Sequence, residues 1–318
     1  MEYRKIGRSG LYSSLLSIGG WKNFGERLSD TESQRIIHSA VEHGINTFDT
    51  ADVYGCAEEA MGRAFKGINR HKLVLSSKCY WPMSNDINDK GLSRKHIRAS
   101  VENSLKRMDT DHIDLYLCHR YDENTPLRET IRTYDDLIRE GKILYWGTSA
   151  WSETQIASAF EICHEMGFEP PITEQAEYSL LEREHVEHNI QPLRAKYGLG
   201  LMCWSPLASG VLAGKNLDNT LAPESLLATY SNQLRNKYLN DKNIDKARRL
   251  RKLSKDIDVP MATLALSWLA DGKAVDSIVV GVSSLEQLYS NLNSIEFKLN
   301  EELRQVLNSI FPSIPKGD

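Results

Sequence analysis

This sequence predicts an α/β fold, a closed (β/α)8 TIM barrel, on three observations. Short β-rich runs alternate with helical patterns from one end to the other, in eight units, and such alternation builds a parallel sheet. The 318 residues match the span of one barrel, so residues 1–318 read as a single domain. An open doubly wound sheet would want a GxGxxG turn after its first strand, and Gly19-Gly20-Trp21 is not one.

The first strand is expected at Leu15 to Ile18. Ser29-Asp30-Thr31-Glu32 then reads as a capping box, a hydroxyl and a carboxylate each satisfying a free backbone donor. Ile36, Ile37, Ala40 and Val41 form the apolar stripe of that helix, and Gly44 sits where its C-cap belongs. Strands follow at Asn46 to Asp49, Leu73 to Lys78, Ile113 to His119, Leu144 to Ser149, Thr173 to Tyr178, Leu201 to Ser205 and Ser277 to Gly281. The helices between and after them cover Glu58 to Phe65, Ser93 to Met108, Pro126 to Glu140, Glu153 to Met166, Glu184 to Tyr197, Asp245 to Asp256, Ala262 to Ala270 and Leu285 to Leu292. After the seventh strand, Lys215 to Asp241 is long, polar and weakly periodic, and loops of this kind usually act as lids or clamps.

Composition narrows the function classes. The 39 basic and 43 acidic residues give a net charge of -4, against a nucleic-acid or membrane-surface protein. The five cysteines, Cys56, Cys79, Cys118, Cys163 and Cys203, form no CxxC pair, which is reduced, intracellular usage. The N-terminus has no signal-peptide pattern, and apolar runs such as Met261 to Ala270 are too short to span a bilayer. A cytoplasmic protein without membrane insertion is the expectation.

Barrels carry their chemistry at the C-terminal ends of the strands. Asp49 ends the second strand, Tyr54 lies in the loop after it, Lys78 ends the third and His119 the fourth. A phenol is a poor acid at neutral pH, and a nearby ammonium favours its phenolate. Lys78 would therefore activate Tyr54, Asp49 would hold Lys78 charged, and His119 would orient the substrate oxygen. The set suits protonation of an alkoxide formed when hydride attacks a carbonyl. Singly, each residue has an ordinary structural reading, as helix cap, core tyrosine, snorkelling lysine or satisfied histidine. Their coincidence at successive strand ends carries the functional one. No metal site is expected: His185 and His188 sit on a polar helix face, and no HExxH spacing occurs. Cys118 and His119 point to opposite faces of their strand, which argues against a Cys-His nucleophile.

These residues carry a family resemblance. Phe48-Asp49-Thr50-Ala51-Asp52-Val53-Tyr54-Gly55 resembles the aldo-keto reductase signature, and Ser77-Lys78 and Ile113 to His119 match its later motifs. The order holds over nearly the whole chain. Residues 91–97, 145–152, 174–184 and 204–215 are similar to the branch that contains voltage-gated potassium channel β-subunits and their microbial relatives. The resemblance implies NADP(H) bound without a Rossmann fold, a small carbonyl substrate, Tyr54 as general acid/base, and Asp49, Lys78 and His119 as its partners. Channel subunits typically carry Asn at the His119 position, so this chain keeps the full reductase set.

Cofactor contacts carry over by position. Gly20 and Trp21 lie beside the nicotinamide half and the substrate mouth. Ser149 and Gln175 bond the carboxamide, and Tyr178 stacks on the nicotinamide. Trp204, Ser205, Pro206, Leu207, Ser209 and Gly210 wrap the pyrophosphate, with Lys215 adding charge. Gly281 closes the last strand, and Ser283, Gln287 and Asn291 hold the adenosine end. Departures concern the 2'-phosphate. Ser284 stands where many microbial relatives have Arg, Ala222 to Leu227 contains no Arg, Ser290 replaces an acidic residue, and Ala150 replaces Arg or Asn. NADPH is the expected cofactor, with NAD(H) weakly discriminated against. Trp21, Tyr80 and Trp81 suggest an aromatic-lined mouth. Relatives of this branch are often tetramers or larger rings, so a homo-oligomer is also expected. The other reading is a redox-sensing binding subunit of a channel or other partner. The presence of His119 and the lack of a long N-terminal extension speak against it. A metal-dependent isomerase lacks a ligand set.

Overall fold

A computed structural model describes residues 1–218, 226–229 and 232–313. The chain opens with an antiparallel hairpin, β1 (Tyr3–Lys5) and β2 (Tyr12–Ser14), registered Tyr3 to Ser14 and Lys5 to Tyr12. Eight parallel strands follow: β3 (Leu16–Gly19), β4 (Thr47–Asp49), β5 (Val74–Cys79), β6 (Ile113–Cys118), β7 (Ile143–Ser149), β8 (Thr173–Glu177), β9 (Gly200–Trp204) and β10 (Ser277–Gly281). They close into a barrel, β10 pairing with both β9 and β3.

The surrounding helices are α1 (Asp30–Glu42), α2 (Ala57–Ala64), α3 (Arg94–Met108), α4 (Leu127–Arg139), α5 (Glu153–Met166), α6 (Gln191–Tyr197), α7 (Leu226–Thr229), α8 (Asn232–Tyr238), α9 (Asp241–Asp256), α10 (Met261–Asp271), α11 (Leu285–Glu296) and α12 (Glu301–Ile310). The expected capping box on α1 is present, with Ser29 Oγ accepting from Glu32 N and Glu32 accepting from Ser29 N. α5 carries a second one at Ser152 and Gln155. No helix among the described residues is long and apolar enough to cross a membrane.

Strand alternation sorts the core into two parts. Tyr116, Cys118, Leu201, Cys203, Ile278 and Val280 face outward into the main core under the helices. Leu115, Leu117, Met202 and Val279 face inward and form a separate cluster with Ile6. The hairpin thus plugs the bottom of the barrel. Gly7 makes this plug possible: it has φ +55, and a Cβ there would lie 2.5 Å from the Gly198 carbonyl oxygen.

Four features depart from the sequence expectation. The hairpin was not expected, because three-residue strands are too short to show alternation. α12 was not expected, though Leu303, Val306, Leu307 and Ile310 recur at helical spacing. The stretch Lys215 to Asp241, expected as loop, contains α7 and α8, and buries Leu217, Leu227 and Tyr238. The expected helix at Glu184 to Tyr197 begins with a π turn, Val186–Ile190, before Pro192 near the start of α6. Proline has no N–H to continue the preceding ladder, which accounts for the wider turn. Of the Ala222 to Leu227 run, Ala222, Pro223, Glu224 and Ser225 lie outside the described residues.

Candidate active site

The inward positions of β4, β5 and β6 meet at the C-terminal mouth. Asp49 pairs with Ser76 in register, and Lys78 with Leu117, so one parity delivers both charged side chains to the interior. Lys78 Nζ lies 2.6 Å from Asp49 Oδ2 and donates to the Thr50 carbonyl at 2.7 Å. Both side chains are almost fully buried. Burial pulls the Lys78 ammonium below its ordinary range, and Asp49 opposes that pull. The other Asp49 oxygen accepts from Ser76 Oγ at 3.0 Å and Gln175 Nε2 at 2.8 Å.

Tyr54 sits above this pair. Lys78 Nζ is 5.3 Å from its ring centroid, and its hydroxyl is 3.5 Å from His119 Nε2. His119 is buried; burial first, then the charges of Lys78 and Arg120, push its imidazole down to about 2. The ring is therefore neutral at physiological pH. Its Nδ1 is buried without a hydrogen-bond partner, so its polar traffic runs through Nε2, toward Tyr54. Aromatic rings enclose the mouth: Trp21 lies 6.5 Å from Tyr54, Trp81 lies 6.3 Å from His119, and Tyr80 packs edge-on against Trp81.

Of the remaining expected residues, Ser149, Gln175, Trp204 and Gly281 lie on β7 to β10, and the others follow in the loops and helices after those strands and after β3. Ser149 Oγ donates to the Gln175 carbonyl at 2.9 Å, and Asp49 occupies the Gln175 amide nitrogen. The Gln175 side-chain oxygen and the second N–H of that amide remain for a ligand. Ala150 takes φ 56, a left-handed conformation that costs a non-glycine residue about 1–2 kcal/mol. After Trp204 the backbone is unusual, with positive φ at Ser205, Ala208, Ser209 and Gly210, around the buried Pro206 and half-buried Leu207. Mixed left- and right-handed residues of this kind form concave N–H nests that bind anions; here the Ala208 and Gly210 N–H groups already donate to the Ser205 and Leu207 carbonyls, so an anion would take the other N–H groups of the turn. Lys215 runs across this nest: a Cβ on Gly210 would meet its Cδ at 3.0 Å. At the far end Gly281 closes β10, and Ser284 caps α11 through Gln287 N, which gives that position a structural use where relatives have Arg. Gln287 in turn accepts from Ser283 N at 3.1 Å, and Asn291 is buried on α11. A concave anion-binding backbone between a polar amide and a helix start fits an extended dinucleotide.

One expected contact is corrected. Tyr178 does not face the mouth. Its hydroxyl donates to Glu187 at 3.0 Å and its ring lies 5.3 Å from Trp268, in the helical layer. The reason is parity: Gln175 points inward, so Ala176 and Tyr178 point outward. Trp204 shares the inward parity of Met202 and is half-exposed at the strand end, which makes it the ring available to a planar ligand.

Several residues at the site escaped the sequence reading. Ser76 is one, legible by alternation from Lys78. Glu174 lies just behind the site, on the outward parity opposite Gln175: it is buried, accepts from Thr148 Oγ1 at 2.5 Å, and burial raises its carboxyl to about 8. Asp52 is buried behind Lys78, whose carbonyl accepts from its backbone N–H, and burial followed by the Glu58 charge raises it to about 7. Arg120 follows His119 at the mouth. His185 and His188 bond Asn189 and Ser313, and the described residues contain no cluster fit for a metal.

Fold and site together define a (β/α)8 barrel of enzymatic type, with its polar cluster at the strand C-termini. The model of the aldo/keto reductase family matches residues 15–310, and the chain belongs to that family, whose activity is oxidoreduction. It is 40% identical over 324 aligned positions to a probable voltage-gated potassium channel subunit beta of Oryza sativa subsp. japonica, covering 99% of this chain and 98% of the relative. A protein of the same name from Arabidopsis thaliana is 40% identical over 302 positions, covering 93% and 92%.

Proposed function

We propose that this chain is a cytoplasmic NADPH-dependent reductase of aldehydes and ketones, reversibly oxidising the alcohols, with Tyr54 as general acid/base. One observation carries the reading: a buried Lys78–Asp49 pair at 2.6 Å lies beneath Tyr54, whose hydroxyl faces a neutral His119. NADPH, held by Ser149, Gln175, the nest at Ser205 to Gly210 with Lys215, and Ser283, Gln287 and Asn291, supplies the hydride when bound.

The chain's own residues manage the proton. In the reductive direction negative charge develops on the substrate oxygen, and Tyr54 Oη gives that oxygen its proton. The phenolate left behind is stabilised by the Lys78 ammonium, which Asp49 keeps charged and fixed. As the neutral Nε2–H tautomer, His119 donates to the carbonyl oxygen and sets its direction. A protonated imidazole there would add a third cation beside Lys78 and Arg120, which its strong downward shift prevents.

NADPH consumption with 4-nitrobenzaldehyde tests this. Tyr54→Phe is expected to lower kcat by about 10²–10⁴ while leaving NADPH affinity in place; wild-type turnover by that variant would sink the mechanism. NADPH is the expected better cofactor, and equal catalytic efficiency with NADH would overturn that preference. A second reading rests on the names of the two plant relatives: a channel-associated subunit. Co-purification of the full chain with a membrane protein would favour it.

A further inference from the structure

Among the described residues, Arg120 is a mouth residue whose charge the fold leaves without an ion pair. It directly follows His119 at the end of β6 and is half-buried. Among the described residues its guanidinium makes one hydrogen bond, Nη1 to the His119 carbonyl at 2.5 Å, and joins no ion pair. Cζ lies 5.7 Å from the Trp81 ring centroid, and that ring is 6.3 Å from His119. The guanidinium is thus tethered through one nitrogen and braced on an aromatic face. Its Nε and Nη2 donors are left over.

The nearby carboxylates do not neutralise it. Glu174 is buried, bonded to Thr148 and raised by burial, so at neutral pH it is largely protonated. Glu177 accepts from Lys237 Nζ at 2.7 Å and from the Tyr238 hydroxyl. The other charge facing this corner is Lys78, a cation that Asp49 already satisfies. Burial of an unpaired guanidinium is costly and is ordinarily compensated. No described residue supplies the compensating group.

Topology says what could supply it. The residues that fit a dinucleotide come from β7 to β10 and from β3, whereas Arg120 follows β6 and its guanidinium is braced on Trp81, beside His119. Trp81, Tyr54 and His119 bound the space that the substrate would enter. A guanidinium fork matches a carboxylate in two parallel hydrogen bonds. We propose that Arg120 is the anion-recognising residue of the substrate site, and that the preferred substrates are carbonyl compounds bearing a carboxylate. This rests on the reductase reading and names its substrate class.

The test compares two aldehydes of equal size, 4-carboxybenzaldehyde and 4-carbamoylbenzaldehyde, by kcat/KM with NADPH. Wild type is expected to prefer the carboxylate at least tenfold, with the preference shrinking as salt rises. Arg120→Met should bring the ratio toward one, and Arg120→Lys should fall between. Benzoate should inhibit wild type more strongly than benzamide, a measurement that needs no variant. Turnover of both aldehydes by wild type without preference overturns the inference and leaves the reductase reading standing. Equal loss on both substrates in Arg120→Met also overturns it, because the residue would then act on His119 rather than on the substrate. Turnover of neither aldehyde overturns the reductase reading as well.

Discussion

The Asp49–Lys78 pair gives a prediction whose size follows from its burial. Asp49→Asn removes the negative charge but keeps an oxygen that can accept from Lys78, so geometry survives while electrostatics does not. The Lys78 ammonium is then buried beside a neutral amide. Breaking a buried pair from one side costs about 3–5 kcal/mol. Lys78→Met leaves a buried carboxylate that still accepts from Ser76 and Gln175, so its cost should sit at the lower end of that range. The double variant carries neither charge and should lose only about 1–3 kcal/mol, giving a coupling energy of about 3–7 kcal/mol. Chemical denaturation of the unliganded protein at pH 7, followed by tryptophan fluorescence, measures all four corners. The Asp49→Asn variant has a further signature. With Asp49 neutralised, burial pulls Lys78 down unopposed, so the unfolded state binds more protons than the folded state at high pH. Its stability should therefore rise with pH above 7. Additive losses in the cycle, together with a flat pH dependence in Asp49→Asn, would refute the claim that the pair is an isolated buried ion pair.

Asp52 keeps its proton in the folded state up to about 7, whereas the unfolded carboxyl ionises near the ordinary aspartate value of 3.8, so the native state loses stability as pH rises between these values. Asp52→Asn should stabilise the protein at pH 8 by about 1–3 kcal/mol and have little effect at pH 4; an equal gain at both pH values in thermal melts would disprove the assignment. The two aromatic residues at the ends of β8 and β9 should separate cleanly: Trp204→Ala should weaken NADPH binding at least tenfold by fluorescence titration, while Tyr178→Phe should keep the Kd within about twofold and destabilise the fold by about 1.5–3 kcal/mol through loss of the Glu187 bond. The opposite pattern would return the stacking role to Tyr178.

That contrast also shows what the sequence could and could not convey. The barrel was legible because its signals are local: Ser29 and Glu32 specify a helix start within four residues, and apolar runs of five or six residues specify buried parallel strands. The proposed catalytic set was legible for the same reason: Asp49 ends β4, Lys78 is next to last in β5 and His119 directly follows β6, and topology alone brings strand ends together. Tyr178 was misplaced because a motif position was followed where strand parity should have been counted: two residues at consecutive positions face opposite ways, and Gln175 inward obliges Tyr178 outward. Longer-range facts had no local signal at all. The bond from Gln175 to Asp49 spans 126 residues, and the shift of Asp52 depends on Glu58 and Arg107 arriving from α2 and α3. Arg120 is the extreme case. As a residue type it is an ordinary surface cation; its proposed role rests on its lacking an ion-pair partner among the described residues, which appears only once Glu174 is seen bonded to Thr148 and Glu177 to Lys237. The charges that a fold leaves unpaired at its mouth constrain the substrate more tightly than the motif does, because the motif defines the proton's path and the unpaired charge defines what must come in to balance it.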